Sequence, residues 1–201
     1  MSEFASVVST LKAGGLVVYP TEAVYGLGTA LSAGAAGVAR VRAAKGSVAD
    51  RPYLLLVADA EAAFSLWSEV TPAARSLAEA AWPAALTLIG PARAGLPPGV
   101  LGEGPNGQLT VAVRVPEDTW LLNLLVALDE PLLSTSANLV GGAAPSRFGD
   151  VPLGALAPDL AIDRGDCAGG SPSTLVSCLD GVVVLREGGY PAALIEGAAG
   201  R

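Results

Sequence analysis

Leu16-Val17-Val18-Tyr19-Pro20-Thr21-Glu22-Ala23-Val24-Tyr25-Gly26-Leu27-Gly28 sets a short apolar run against a polar, glycine-rich continuation. The run from Leu16 to Tyr19 is too short for a helix and rich in β-branching, and Pro20 stops it. It reads as a buried strand. Two readings of the continuation stand side by side. In one, the strand ends in a turn, with Thr21 acting as a helix cap and the glycines as turn residues. In the other, two hydroxyls and a carboxylate beside close-set glycines grip a small polar ligand.

Outward from this stretch, helical and strand patterns alternate. On its N-terminal side, Ser2 caps a helix with Phe4, Val7, Val8 and Leu11 on one face, ended by Gly14-Gly15. On its C-terminal side, Ala33 to Ala44 is Ala-rich with Val38 and Val41 on one face, a helix. Leu54 to Val57 is a strand, Asp59 to Trp67 a helix, and Thr71 caps another that has Pro72 at its first position. Leu86 to Ile89 and Thr110 to Val115 read as strands, separated by a Gly/Pro-rich loop from Pro91 to Gly107. A helix from Thr119 to Leu128 precedes strands at Leu132 to Ser134 and Leu160 to Ile162. Leu175 to Cys178 and Val182 to Arg186, joined at Asp180-Gly181, form a hairpin that closes the chain. The pattern predicts an α/β fold in which a mixed parallel and antiparallel sheet is flanked by helices. No repeat or long linker divides the 201 residues, so one domain is expected over 1–201.

Composition narrows the chemistry. Hydrophobic residues make up 51% and charged ones 15%, which fits a packed core and argues against disorder. A net charge of −7 argues against broad adhesion to nucleic acid or anionic membrane. The chain has no histidine, which excludes Ser-His-Asp and Cys-His catalysis and imidazole metal ligands. Cys167 and Cys178 are too few for a zinc site and are expected as two buried thiols in a reducing cytosol. Acidic and polar residues interrupt the first apolar run, so it does not read as a signal peptide. No window approaches the roughly 18 apolar residues of a membrane span. A cytoplasmic protein without protein-liganded metal is expected.

Polar residues gather where strands end, the usual place for ligands on open α/β sheets. Arg40, Arg42, Lys45 and Arg51 place four of the twelve basic residues within twelve positions. They are either the cationic C-terminus of a helix, offsetting its dipole, or a local site for phosphate or carboxylate. Ser134-Thr135-Ser136-Ala137-Asn138 offers four hydrogen-bonding side chains in five residues after a strand, more than a turn needs. Ser171-Pro172-Ser173-Thr174 carries the same two readings. Arg114 and Arg186 each close an apolar strand, where a guanidinium can meet an anion in two-pronged fashion. These clusters point to a small phosphorylated or anionic ligand without naming a reaction. No GxxxxGK[ST] loop and no GxGxxG fingerprint is present.

Taken in order, the clusters resemble the YrdC-like family. The resemblance runs from about Val7 to Gly189, through YPTEAVYGLG (Tyr19 to Gly28), the loop bearing Lys45, WPAALTLIGPA (Trp82 to Ala92) and TVAVRVP (Thr110 to Pro116). It continues through STSANLVGG (Ser134 to Gly142), PST (Pro172 to Thr174) and VLREGG (Val184 to Gly189). Seven ordered motifs make it specific, and the length resembles the family's short single-domain form. The resemblance implies an enzyme that joins L-threonine, bicarbonate and ATP into threonylcarbamoyl-adenylate, releasing pyrophosphate. It also implies a partner complex that moves the threonylcarbamoyl group to the adenosine next to the anticodon of tRNA (t6A).

Carried over by residue, Lys45, Ser136 and Asn138 are the expected catalytic group. Lys45, Arg51, Thr110, Ser136, Asn138 and Arg186 are expected around ATP, with Mg2+ accompanying the nucleotide. Thr21, Tyr25, Arg114, Ser134, Ser173 and Thr174 are expected around threonine. Two alternatives accompany this reading: an RNA-binding or ribosome-maturation module contacting tRNA or double-stranded RNA, and a catalytically weakened paralogue. The second arises because the family's usual Lys-x-Arg has Ser47 in place of its arginine, and Val48 in place of a common proline; Val140 also replaces a common serine. Arg51 or Arg42 is the expected substitute for the missing guanidinium.

Overall fold

A computed structural model describes residues 3–46 and 51–199. The expected Ser2 cap, together with Ser47 and Val48, lies outside the described residues. The chain runs α1 (Glu3–Lys12), β1 (Val17–Pro20), β2 (Tyr25–Ala30), α2 (Gly34–Lys45), β3 (Leu54–Leu56), α3 (Ala60–Phe64) and α4 (Pro72–Ala81). It continues with β4 (Leu86–Pro91), β5 (Leu101–Glu103), β6 (Leu109–Arg114), α5 (Thr119–Leu128), β7 (Leu132–Ser136), α6 (Leu153–Leu156), β8 (Leu160–Ala161), β9 (Thr174–Ser177), β10 (Val183–Arg186) and α7 (Ala192–Ala199).

The strands form one mixed sheet in the order β10-β9-β4-β6-β3-β7-β2-β1-β8. The pairs β1–β8, β3–β6 and β4–β9 are parallel, and the remaining pairs are antiparallel. The short β5 pairs with β6 on the side that β3 also uses. The expected mixed sheet with flanking helices is therefore the observed one.

Several boundaries follow directly from local chemistry. Thr71 accepts a hydrogen bond from the Ala74 amide and Pro72 opens α4, where its missing N–H costs nothing. Asp59 and Asp118 cap α3 and α5 through the amides of Ala62 and Leu121. Gly46, at φ 65°, ends α2 in the left-handed conformation and leaves Lys45 as the last helical residue.

Alternation along the strands sorts the core into two layers. Val18, Leu27, Leu55, Leu133, Val113, Leu88 and Val176 point one way and pack with Val38 and Val41 of α2 and Leu77 of α4. Val17, Tyr19, Ala30, Leu56 and Leu132 point the other way, under Val7 and Leu11 of α1 and Leu121, Leu124, Leu125 and Leu128 of α5. Helices α1 and α5 pack on each other. They cover only the part of that second face nearest β1, β2 and β7.

Four expectations need correction. Tyr25-Gly26-Leu27-Gly28 is no turn; it belongs to β2, an interior strand between β1 and β7. Neither Gly26 nor Gly28 has a positive φ. Both are glycine because the Tyr19 ring lies against them: a Cβ would sit 2.8 Å from the ring at Gly26, and at Gly28 2.9 Å from the Tyr19 hydroxyl and 2.5 Å from the Leu133 carbonyl. The loop from Pro91 to Gly107 contains β5. The hairpin does not close the fold, because α7 follows it, with Ile195 in the core against α4. Cys178 is buried but Cys167 is only partly so; both are unpaired thiols.

Gly28→Ala is expected to destabilise the fold by about 1–3 kcal/mol, the usual cost of overpacking. Gly149→Ala, where a Cβ meets nothing within 4 Å, should stay within about 0.5 kcal/mol of the parent. Urea unfolding of the two variants beside the parent measures both.

Candidate active site

Where α1 and α5 stop, the second sheet face is bare and forms the floor of a cleft of about 720 Å³. The period of two selects its lining. Leu54 and Leu56 come from β3, Ala112 and Arg114 from β6, Thr87 and Ile89 from β4, and Ser134 and Ser136 from β7. Register holds them together: Leu54 lies opposite Ser134, Leu56 opposite Arg114, and Gly26 opposite Ser136. The walls are the 21–26 segment, Tyr53, Glu117, the 168–173 loop and Arg186.

Arg114 sits near the middle of this floor, with 11% of its side chain exposed. Its Nε donates to the Ala84 carbonyl at 2.9 Å, and Nη2 is paired with Glu22 Oε1. Glu22 Oε2 is buried and has no hydrogen-bond partner. Thr21, just before it, spends its hydroxyl on its own turn. That hydroxyl donates to the Val24 carbonyl (2.7 Å) and accepts from the Ala23 and Val24 amides (3.3 and 3.2 Å). Thr21 therefore does not cap a helix, since β2 follows it; its hydroxyl closes a turn instead, while the residue still lines the cleft.

Tyr25 donates to the Gly165 carbonyl (2.6 Å), accepts from the Arg164 amide (3.3 Å) and packs on Phe148, with ring centroids 5.6 Å apart. Burial raises the pKa of its phenol. The Tyr19 hydroxyl donates to Ser134 Oγ at 2.6 Å, and burial raises its pKa strongly. Across the cleft, Ser173 Oγ and Thr87 Oγ1 share a hydrogen bond of 2.7 Å, and Arg186 Nη2 donates to the Ser173 carbonyl at 2.9 Å.

Lys45, Ser136 and Asn138 are brought together. The Lys45 ammonium donates to the carbonyls of Ser136 (2.6 Å) and Asn138 (2.8 Å), with Asn138 Oδ1 at 3.4 Å. Ser136 Oγ donates to Asn138 Oδ1, and Asn138 Nδ2 reaches the carbonyls of Leu139 and Gly142. Lys45 is 7% exposed, and this burial lowers its pKa from the ordinary 10.5 to about 8. Of the three, Ser136 alone lines the cleft. Among the described residues, then, the cationic loop reaches the site through the backbone of β7.

The other expected residues divide. Thr21, Tyr25, Arg114, Ser134, Ser173 and Arg186 line the cleft with Ser136. Thr110 is buried at the start of β6 and does not line it; Thr174 is fully buried, its hydroxyl donating to the Tyr190 carbonyl and accepting from the Gly188 and Tyr190 amides. Arg51 is exposed and outside the lining. Arg42 instead lies beside Tyr53, a lining residue whose pKa burial raises and the nearby guanidinium lowers.

Sequence reasoning missed Thr87, Tyr53 and Glu117. Thr87 was within reach: Leu86 and Leu88 are core residues, so the polar residue between them must face the other side of β4. Glu117 and Tyr53 lie just outside strands and carry no periodic signal. Among the described residues no group of three or more His, Cys, Asp or Glu side chains gathers as a metal site. None of the helices is long and apolar enough to cross a membrane, among the described residues.

Comparison with known proteins places the chain in a family. The family model Sua5_yciO_yrdC, described as "Telomere recombination", matches residues 9–188. A threonylcarbamoyl-AMP synthase of Bacillus subtilis (strain 168) is 34% identical over 205 residues, covering 98% of this chain and 57% of that protein. The crystal structure of P. abyssi Sua5 complexed with L-threonine superposes with a TM-score of 0.86 at 32% identity, over 97% of this chain and 56% of that one. E. coli YciO superposes with a TM-score of 0.76 at 27% identity, over 92% and 88%. The chain thus spans little more than half of two of these relatives. With the match running over most of its residues, the chain belongs to the Sua5/YciO/YrdC family.

Proposed function

We propose that the cleft makes threonylcarbamoyl-adenylate from L-threonine, bicarbonate and ATP, releasing pyrophosphate, for threonylcarbamoyl modification of tRNA. The observation that carries this reading is the lining itself. Two guanidiniums, Arg114 from the floor and Arg186 from the wall, line the cleft among apolar side chains, with the hydroxyls of Ser134, Ser136 and Ser173. Such a surface suits two anionic reactants held side by side. The threonylcarbamoyl-AMP synthase of B. subtilis and the threonine-bound P. abyssi Sua5 support the same assignment.

In this reading Arg114 meets the threonine carboxylate, with Thr21, Tyr25, Ser134 and Ser173 shaping that end. The nucleotide lies toward Ser136, Asn138, Lys45 and Arg186. Thr110, Thr174 and Arg51 support the site from outside the lining. The threonine amine attacks the bicarbonate carbon, and the carbamate oxygen then attacks the α-phosphorus with pyrophosphate leaving. Positioning and charge neutralisation carry most of this chemistry, so a site without histidine is adequate. Mg2+ arrives with ATP and is held mainly by phosphate oxygens. We read the chain as one such domain, acting in the cytoplasm with a transferase complex that delivers the group to tRNA.

Pyrophosphate release from ATP should require both threonine and bicarbonate, and Arg114→Ala should lower kcat/KM for threonine by roughly a hundredfold. Release that ignores threonine, or no release at all, contradicts the reading.

Lys45 adds a pH signature. Burial penalises its charge and the Ser136 and Asn138 carbonyls favour it; burial is the larger effect. Below pH 8 the lysine is charged in both folded and unfolded chains, and its contribution is flat. Between about 8 and 10.5 the unfolded chain holds more protons, so stability due to Lys45 rises with pH. The stability of the parent relative to Lys45→Met should therefore increase across that window in urea unfolding. The Lys45 13Cε resonance should titrate near pH 8; a midpoint at the ordinary lysine value contradicts this assignment.

A further inference from the structure

Glu22 and Glu117 are charged groups of the cleft for which the reaction above has no task, and Glu22 is the one in contact with Arg114. It lines the cleft beside Arg114, pairs with it through Oε1, and keeps Oε2 buried without a partner. A buried carboxylate oxygen lacking a donor is costly and persists where a donor arrives from outside the chain. Its backbone is held firmly. The Glu22 carbonyl accepts from the Ala168 amide at 3.1 Å, the Ala23 carbonyl from the Gly169 amide at 3.0 Å, and the Thr21 turn lies just before. The carboxylate is presented from a fixed turn and not from a mobile loop.

An α-amino acid carries its carboxylate and its ammonium on one carbon. Arg114 and Glu22 present the complementary charges in direct contact. The guanidinium has five N–H donors, and its bonds to Ala84 and Glu22 use two of them. We propose that Glu22 is the ammonium-binding residue of the amino-acid subsite. With Arg114 it forms a clamp for the zwitterion and selects ligands with an unsubstituted α-amine. The ion pair seen here is then the resting form of the clamp, each partner holding the other's charge until the amino acid bridges them. This assignment rests on the function proposed above and adds to it the group that recognises the amine. Glu117, the other carboxylate of the lining, has no such contact with Arg114 in the structure.

The test is calorimetric titration of the full chain with L-threonine and with 3-hydroxybutanoate, which lacks only the amine. The parent is expected to prefer threonine by tenfold or more. Glu22→Gln should lose most of that preference while keeping its affinity for 3-hydroxybutanoate within about threefold. Glu22→Asp, which keeps the charge but withdraws it by one methylene, should be intermediate, and it decides the matter if the Gln variant does not fold. An unchanged preference in either folded variant overturns the proposal. Equal weakening of both ligands also overturns it, because Glu22 then acts only by holding Arg114. Threonine-dependent pyrophosphate release by the parent separates the two claims. If it occurs and the preference does not depend on Glu22, the clamp fails alone; if it is absent, both readings fail.

Discussion

The Tyr19 ring resting on Gly26 and Gly28 is the contact on which the rest of the architecture depends. It requires two positions of β2 to lack a side chain, since a Cβ at either would meet the ring or hydroxyl at 2.8–2.9 Å. With those positions bare, β2 pairs with β1 on one side and β7 on the other. The Tyr19 hydroxyl then reaches Ser134, whose strand also carries Ser136 into the cleft. One buried aromatic thereby joins the apolar layer beneath α1 and α5 to the polar surface beside it.

The same face of the sheet does two jobs. Where α1 and α5 cover it, leucines and valines fill the space. Where they stop, Ser, Thr and Arg join the apolar side chains at the same parity. The Lys45 ammonium fastens the end of α2 to the segment leaving β7, at a helix C-terminus where positive charge is favoured. Burial pulls its pKa down to about 8, so this anchoring charge is sensitive to alkaline pH. Arg42, in the last turn of α2, lies beside Tyr53 at the cleft wall.

Much of the fold was legible because local rules and tertiary contacts agree. Thr71 and Pro72 announce α4, and the hairpin of β9 and β10 follows from its turn. β2 was not legible, because glycines beside tyrosine look like turn residues unless the ring that needs their space is known. β5 is three residues long, inside a Gly/Pro-rich stretch, and exists only through β6. For the site, the polar residues at strand ends identified most of the lining. Thr110 and Thr174 show the limit: hydroxyls next to lining residues can face inward and spend themselves on backbone, as Thr174 does on the 188–190 turn.

In the function proposed for the cleft, an amino acid and a nucleotide share it. The most direct measurement is a crystal structure with L-threonine and a non-hydrolysable ATP analogue. The account predicts the threonine carboxylate on Arg114 and the phosphates directed toward Ser136 and Arg186. A nucleotide bound away from this face of the sheet, or threonine bound without contact to Arg114, would contradict it.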